Sequence, residues 1–281
     1  ATHARTGLLV CAAADGSLQS WHARARAPQC ACVLVTDGLG APALAIDPSG
    51  AYVAVGLGSG DIAVLGALDL REHFRAHVSS TRITSVAYSA DGRALALGDA
   101  GGTVWVLALR SYDGAPVRAL ELTGRCAGAV RAIDWDATGE FLRANSDGRD
   151  LRHWAVRSAE PCRPSAVRDC VWASASCPLT WASRGASDRD EGAAARPTCA
   201  ALAANEHERT LLLVGDEGGG LAVYAYPSAT PGAERRRVVA HGGAVLAVGT
   251  CGAASAASVD SHDGCILLWS LGSQSRANED R

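Results

Sequence analysis

Three polar side chains near the end of the chain have the types needed for acyl-transfer chemistry: His241, Ser261 and Asp263, with Trp269 a few residues on. A serine beside a histidine base, with a carboxylate to orient that base, is the general form of an activated nucleophile. Other constellations offer other chemistry. His73 and His77 would share one face of a helix as metal ligands, and Asp134 and Asp136 could work as paired carboxylates in proton transfer. The stretches Gly56–Gly60 and Gly215–Gly220 have the glycine content of phosphate-cradling loops. Each set also has a purely structural reading, and the elements that carry it decide between the two.

Those elements repeat. Short strand-like runs end in a large apolar residue five or six positions after a Gly-bearing turn at Trp21, Leu65, Leu107, Trp154, Tyr224 and Trp269. The steps are 44, 42, 47, 70 and 45 residues. A repeat of roughly 40–45 residues with four strands each marks a WD40-type propeller blade. A second marker runs in phase: the turns Asp47-Pro48-Ser49-Gly50, Ser89-Ala90-Asp91-Gly92 and Asp136-Ala137-Thr138-Gly139, whose glycines are 42 and 47 apart. Glycine supplies positive φ and Asp or Ser bonds its own turn, so these are hairpins.

The repeat predicts an all-β fold of about five and a half to six four-stranded blades over residues 1–271, the first blade incomplete. Inner strands sandwiched between blades should be apolar on both faces. Ala43–Ile46, Ile83–Tyr88, Val130–Trp135, Cys199–Ala203 and Val245–Val248 suit first strands. Outer strands such as Glu72–Arg75 and Glu234–Val239 are less apolar, and Arg235-Arg236-Arg237 fits edge protection by charge, the alternative being a patch for an acidic partner. The 70-residue step places a long loop at about 177–197, and residues 272–281 read as a flexible tail. A start inside a blade, without an initiator methionine, suggests a piece of a longer chain.

Within this frame the structural readings prevail. His241, Ser261, Asp263 and Trp269 form the hydrogen-bonded set that ties the outer loop of a WD blade to its centre. His73 and His77 fall on an outer strand, far apart along it, and Asp134 and Asp136 fall at the end of an inner strand and its turn. Neither glycine stretch opens a helix. No catalytic, cofactor or metal residues are therefore expected. All 26 basic residues are Arg, which excludes a Walker A loop and Schiff-base chemistry. A net charge of −3 leaves no footprint of a nucleic-acid binder. No apolar run reaches the ~18–20 residues of a membrane span. The ten cysteines contain no CxxC and read as reduced, packed thiols.

Several segments, in order, resemble one WD family, the echinoderm microtubule-associated protein-like proteins. Arg82–Leu109 (RITSVAYSADGRALALGDAGGTVWVLAL) and Ala132–Val156 (AIDWDATGEFLRANSDGRDLRHWAV) are similar to two of its blades. Arg168–Cys177 (RDCVWASASC) resembles its R-D-x-x-W-A-T-Y-T-C segment, and Gly215-Asp216-Glu217 through Pro227 its G-D-D-x-G…Y-P. The resemblance implies the second, C-terminal propeller of a tandem pair, with tubulin or microtubules as partner. It implies a cytoplasmic, cytoskeletal location, with the cilium and spindle as candidate sites, and oligomerisation through upstream segments. After Cys177 the family continues apolar, whereas here Pro178-Leu179-Thr180-Trp181-Ala182-Ser183 stands in that place, so that surface differs. The expected function is a non-catalytic scaffold, with Arg82, Arg131, Arg149, His262, Arg184 and Arg189 as candidate contacts. The alternatives are a WD40 scaffold of another complex (ciliary transport or a ubiquitin-ligase adaptor) and a propeller hydrolase, which would need carboxylates converging at the inner-strand ends.

Overall fold

Short apolar runs separated by glycine-bearing turns can bury themselves only as meandering antiparallel sheets stacked face to face. The computed structural model describes residues 1–13, 15–22, 29–33, 40–109, 117–187, 196–204, 210–230, 233, 235–251, 254–262 and 264–271. They fall into two compact units, Ala1–Thr180 and Trp181–Arg281.

The first unit holds four sheets, each with its strands paired in chain order. They are β1 (Thr2–His3), β2 (Leu8–Ala12), β3 (Ser17–His22) and β4 (Cys30–Val33); β5 (Ala43–Ile46), β6 (Tyr52–Gly56), β7 (Asp61–Gly66) and β8 (Glu72–His77); β9 (Ile83–Tyr88), β10 (Ala94–Asp99), β11 (Val104–Ala108) and β12 (Val117–Glu121); and β13 (Val130–Trp135), β14 (Phe141–Ser146), β15 (Leu151–Ala155) and β16 (Glu160–Pro161). The second unit holds a four-stranded sheet, β17 (Pro197–Ala204), β18 (Thr210–Asp216), β19 (Gly220–Ala225) and β20 (Arg235–Val239), and a sheet of three described strands, β21 (Val245–Thr250), β22 (Ser255–Asp260) and β23 (Ile266–Ser270). The fold is an all-β propeller of the WD40 type, with six blades among the described residues. The first blade is not the incomplete one expected: Thr2 and His3 pair with Leu9 and Leu8 and complete it. Two residues are too few to leave an alternation in the sequence.

The large apolar residues that end the third strands set the stacking. Leu65 joins Leu8, Val10 and Leu18 of the preceding sheet, Leu107 packs with Ile62 and Val64, and Trp154 with Val104 and Val106. Their strand neighbours Ile62, Val64, Val104 and Val106 face the following sheet instead, so these strands are buried on both sides. In the second unit Trp269 packs in the same way against Leu213 and Leu221 of the sheet before it.

Close approach between sheets needs a missing side chain. A Cβ on Gly98 would stand 2.4 Å from Val130 of the next sheet, and one on Gly215 would stand 2.7 Å from Val245. Beside each contact a threonine hydroxyl crosses the same gap, Thr84 donating to the Val130 carbonyl at 2.7 Å and Thr198 to that of Val245. In the fourth sheet Asn145 takes the glycine position, and its Oδ1 accepts the Leu179 N–H at 2.9 Å. The fourth sheet gives way to a connecting segment and not directly to another first strand.

That connection runs from 162 to 196, earlier in its start than the 177–197 loop read from the step length. It begins with a 3-10 turn at Pro164–Val167 and reaches a bridge between Trp172 and Asp136. After Thr180 come a second turn at Trp181–Ser183 and the single helical turn α1 (Arg184–Ser187), whose Ala186 packs on Leu212, Val214 and Tyr224. Residues 188–195 and the expected tail at 272–281 lie outside the described residues.

Candidate functional site

The hairpin turns show how one acidic or hydroxyl side chain organises each blade end. Asp47 Oδ1 accepts the Tyr52 N–H and Asp136 Oδ1 the Phe141 N–H, both at 2.8 Å, while Ser89 Oγ accepts the Ala94 N–H at 2.9 Å. Gly50, Gly92 and Gly139 close these turns at φ of 80°, 72° and 76°. The opposite ends of the blades carry a second device. The aspartate ending the second strand accepts the N–H four residues on: Thr103 to Asp99, Gly220 to Asp216 and Gly264 to Asp260, at 2.8, 2.9 and 3.1 Å.

This second device corrects the hydrogen-bond set expected in the last blade. The chain runs through His241, Ser258 and Trp269: the indole donates to Ser258 Oγ at 2.7 Å, and His241 Nε2 lies 2.7 Å from the same oxygen. Asp260 Oδ2 stands 4.0 Å from His241 Nδ1 and accepts the Gly243 N–H at 3.2 Å. Ser261 is exposed and takes no part in the chain, and Asp263 lies outside the described residues. The residue after the second strand points away from the core where the one within it points inward, which is why a choice three residues late misses the set. Serine, histidine and aspartate do converge here as in a nucleophilic triad. All three are buried, however, and the hydroxyl is occupied by the Trp269 indole, so the geometry is that of a brace. The signal available was the recurrence of Asp99, Asp216 and Asp260 before glycine-bearing turns.

The other sequence candidates separate. His73 packs edge-on against Tyr52 with centroids 5.1 Å apart, and His77 Nδ1 lies 2.7 Å from Asp61 Oδ1. Asp136 serves its turn, whereas Asp134 is buried and ion-paired with Arg143 at 2.9 Å. The Ser174 hydroxyl, the Ser176 hydroxyl and N–H, and the Cys177 N–H all donate to the Asp134 carboxylate. The Arg143 guanidinium lies 4.2 Å from the centre of the Trp172 ring. Burial alone would raise the Asp134 pKa, but Arg143 and the serine hydrogen bonds outweigh it and hold the carboxyl below the usual range. Residues 172–180 are thus a strap fastened to the fourth blade, with the Asp134 carboxylate accepting four of its hydrogen bonds and Asn145 and the Trp135 and Ile133 carbonyls accepting others. The sequence marked Asp134 as a residue of the inner-strand end, but the distant Ser174 and Ser176 could not be assigned to it.

Among the candidate contacts, Arg82, Arg131 and Arg149 are exposed in the first unit. Arg82 and Arg131 stand where inner strands begin and Arg149 in the turn after β14, which antiparallel pairing brings to the same edge of the blades. Arg131 is committed to Asp147 by a two-pronged pair at 2.5 and 2.7 Å. Arg82 and Arg149 have no ion pair among the described residues. In the second unit His262 is exposed in the turn after β22 and Arg184 is exposed at the start of α1, while Arg189 lies outside the described residues.

A family model described as the echinoderm microtubule-associated protein second beta-propeller matches residues 1–271. The chain belongs to this family. Its likeness to individual members of the echinoderm microtubule-associated protein family is modest. It is 29% identical over 232 residues to human echinoderm microtubule-associated protein-like 3, covering 79% of this chain and 25% of that protein. It is 26% identical over 292 residues to echinoderm microtubule-associated protein-like 4 of Xenopus tropicalis, covering 96% of this chain and 29% of that protein. The chain therefore spans about a quarter of the length of these relatives. A chain in the crystal structure of a mitotic checkpoint complex shares the fold, with a TM-score of 0.72 over 97% of this chain and 87% of that one at 16% identity.

Proposed function

We propose that this propeller is a non-catalytic cytoskeletal scaffold that binds tubulin or microtubules in the cytoplasm. The observation that carries the reading is the family match across residues 1–271, to a propeller named for microtubule-associated proteins. The geometry supports it in two ways. The triad-like residues His241, Ser258 and Asp260 are used up in bracing a blade. A rigid stack of sheets, meanwhile, presents Arg82 and Arg149 exposed at a blade edge, without an ion pair among the described residues. Rigid strands that hold variable turn residues favour partner recognition. With a net charge of −3, attraction to a partner must come from such local groups.

Co-sedimentation of the 281-residue chain with polymerised microtubules across a salt series tests this, with free tubulin measured alongside. Binding that weakens with salt is expected. If the chain neither pellets nor binds free tubulin, the tubulin surface is not in this propeller, and a scaffold for another complex becomes the better reading.

A further inference from the structure

The outer strands of the second and fifth sheets handle their charge differently. In β8, Phe74 is buried, Arg75 is paired with Glu72 at 2.8 Å, and His77 lies against Asp61. In β20 every residue is exposed. The Arg237 side chain is engaged there, donating through Nε and Nη2 to Asp216 at 2.8 and 3.1 Å. Its guanidinium lies flat over Gly220, where a Cβ would come within 2.3 Å of Nη2. Arg237 therefore anchors the strand. The side chains of Arg235 and Arg236 make no hydrogen bond or ion pair among the described residues. Val238 and Val239 beside them are 52% and 59% exposed.

Among the described residues β20 pairs only with β19, so its far side carries backbone donors and acceptors without a strand partner. Charge on such an edge commonly serves to keep other strands away. Here it is selective: it repels a basic strand and attracts an acidic one, in a chain whose overall charge is −3. The two valines add apolar area that an arriving strand can cover. We propose that β20 is a docking edge for an acidic peptide in extended conformation, which adds to the fifth sheet as a further strand. Successive acidic residues of such a peptide point to opposite faces, as Arg235 and Arg236 do, and so meet both arginines. The proposal is independent of tubulin as partner.

Fluorescence anisotropy of a labelled oligoglutamate peptide with the 281-residue protein, at low ionic strength, tests it. Saturable binding is expected, about tenfold weaker in Arg235→Gln/Arg236→Gln and unchanged in Arg75→Gln, with thermal melts confirming that both variants are folded. The same peptide carrying backbone N-methyl groups at alternate residues should bind poorly, because it cannot complete the strand pairing. No binding by the wild type overturns the proposal, as does equal binding by the double glutamine variant. Equal binding of the N-methylated peptide would reduce the site to a loose ionic contact and overturn the added strand. Competition by single-stranded RNA as strong as by the peptide itself would make it a general anion patch and overturn the peptide assignment.

Discussion

One hydroxyl holds the centre of the sixth blade. Ser258 Oγ meets both the Trp269 indole and the His241 imidazole, so Ser258→Ala leaves a buried and a half-buried polar group without their partner. A loss of about 1–3 kcal/mol is expected in urea denaturation, against a change within about 0.5 kcal/mol for Ser261→Ala. Equal losses would return the brace to Ser261. Trp154 is the corresponding test of the apolar register. It is 0% exposed and its indole donates to the Thr123 carbonyl at 2.7 Å, whereas Trp181 is 72% exposed. Trp154→Ala should cost about 3–5 kcal/mol and Trp181→Ala less than about 0.5 kcal/mol, read as the shift of the denaturation midpoint.

The strap from Trp172 to Thr180 donates four hydrogen bonds to a single carboxylate, beside others to the Trp135 and Ile133 carbonyls and to Asn145. Asp134 is buried with Arg143, and removing one member of such a pair leaves the other charged, buried and alone. Asp134→Ala should therefore cost about 3–5 kcal/mol. It should also free the connecting segment, so that limited trypsin digestion cuts first at Arg168 or Arg184. Digestion no faster than in the wild type would show that the strap is held by other contacts. The same carboxylate makes stability depend on acid. Its folded-state pKa lies below the ordinary value, so its contribution is complete above about pH 4 and is lost as pH falls through the folded value. Asp216, held down by Arg237 against its own burial, adds to the same slope. Asp134→Asn should lower stability at neutral pH and flatten its decline below about pH 4, measured by urea denaturation at several pH values.

At the scale of the molecule, function turns on the surface charges that remain available to a partner. Arg131 is paired with Asp147, while Arg82 and Arg149 have no ion pair among the described residues. Microtubule co-sedimentation should therefore respond more to Arg82→Glu and Arg149→Gly than to Arg131→Gln. Arg149 has a φ of 59°, where glycine is at ease, so Arg149→Gly removes the charge without straining the backbone. If all three variants pellet like the wild type, this edge of the first unit is not the contact surface. Higher salt should weaken binding in every case, because exposed charges are screened beyond about 8–10 Å at physiological ionic strength.

The repeat, the hairpin turns and the identity of the buried third-strand residues were legible in the sequence because each depends on local chemistry. Gly50, Gly92 and Gly139 take positive φ within their own four-residue turns, and Leu65, Leu107 and Trp154 are buried by a period that recurs wherever a blade does. The family likeness rests on the same local segments. Pairings between distant residues were decided by the tertiary structure alone. Thr2 and His3 became a strand only because Leu8 and Leu9 offered an edge, and Ser258 rather than Ser261 took the brace because strand register turned it inward. Ser174 and Ser176 met Asp134 across some forty residues of chain. Nothing in Arg235, Arg236 and Arg237 distinguishes one arginine from the next, yet the fold spends Arg237 on Asp216 and gives the other two side chains no ion pair among the described residues. Turn geometry is a property of a few consecutive residues, whereas the partner of a charge is whichever group the packed sheets bring within reach.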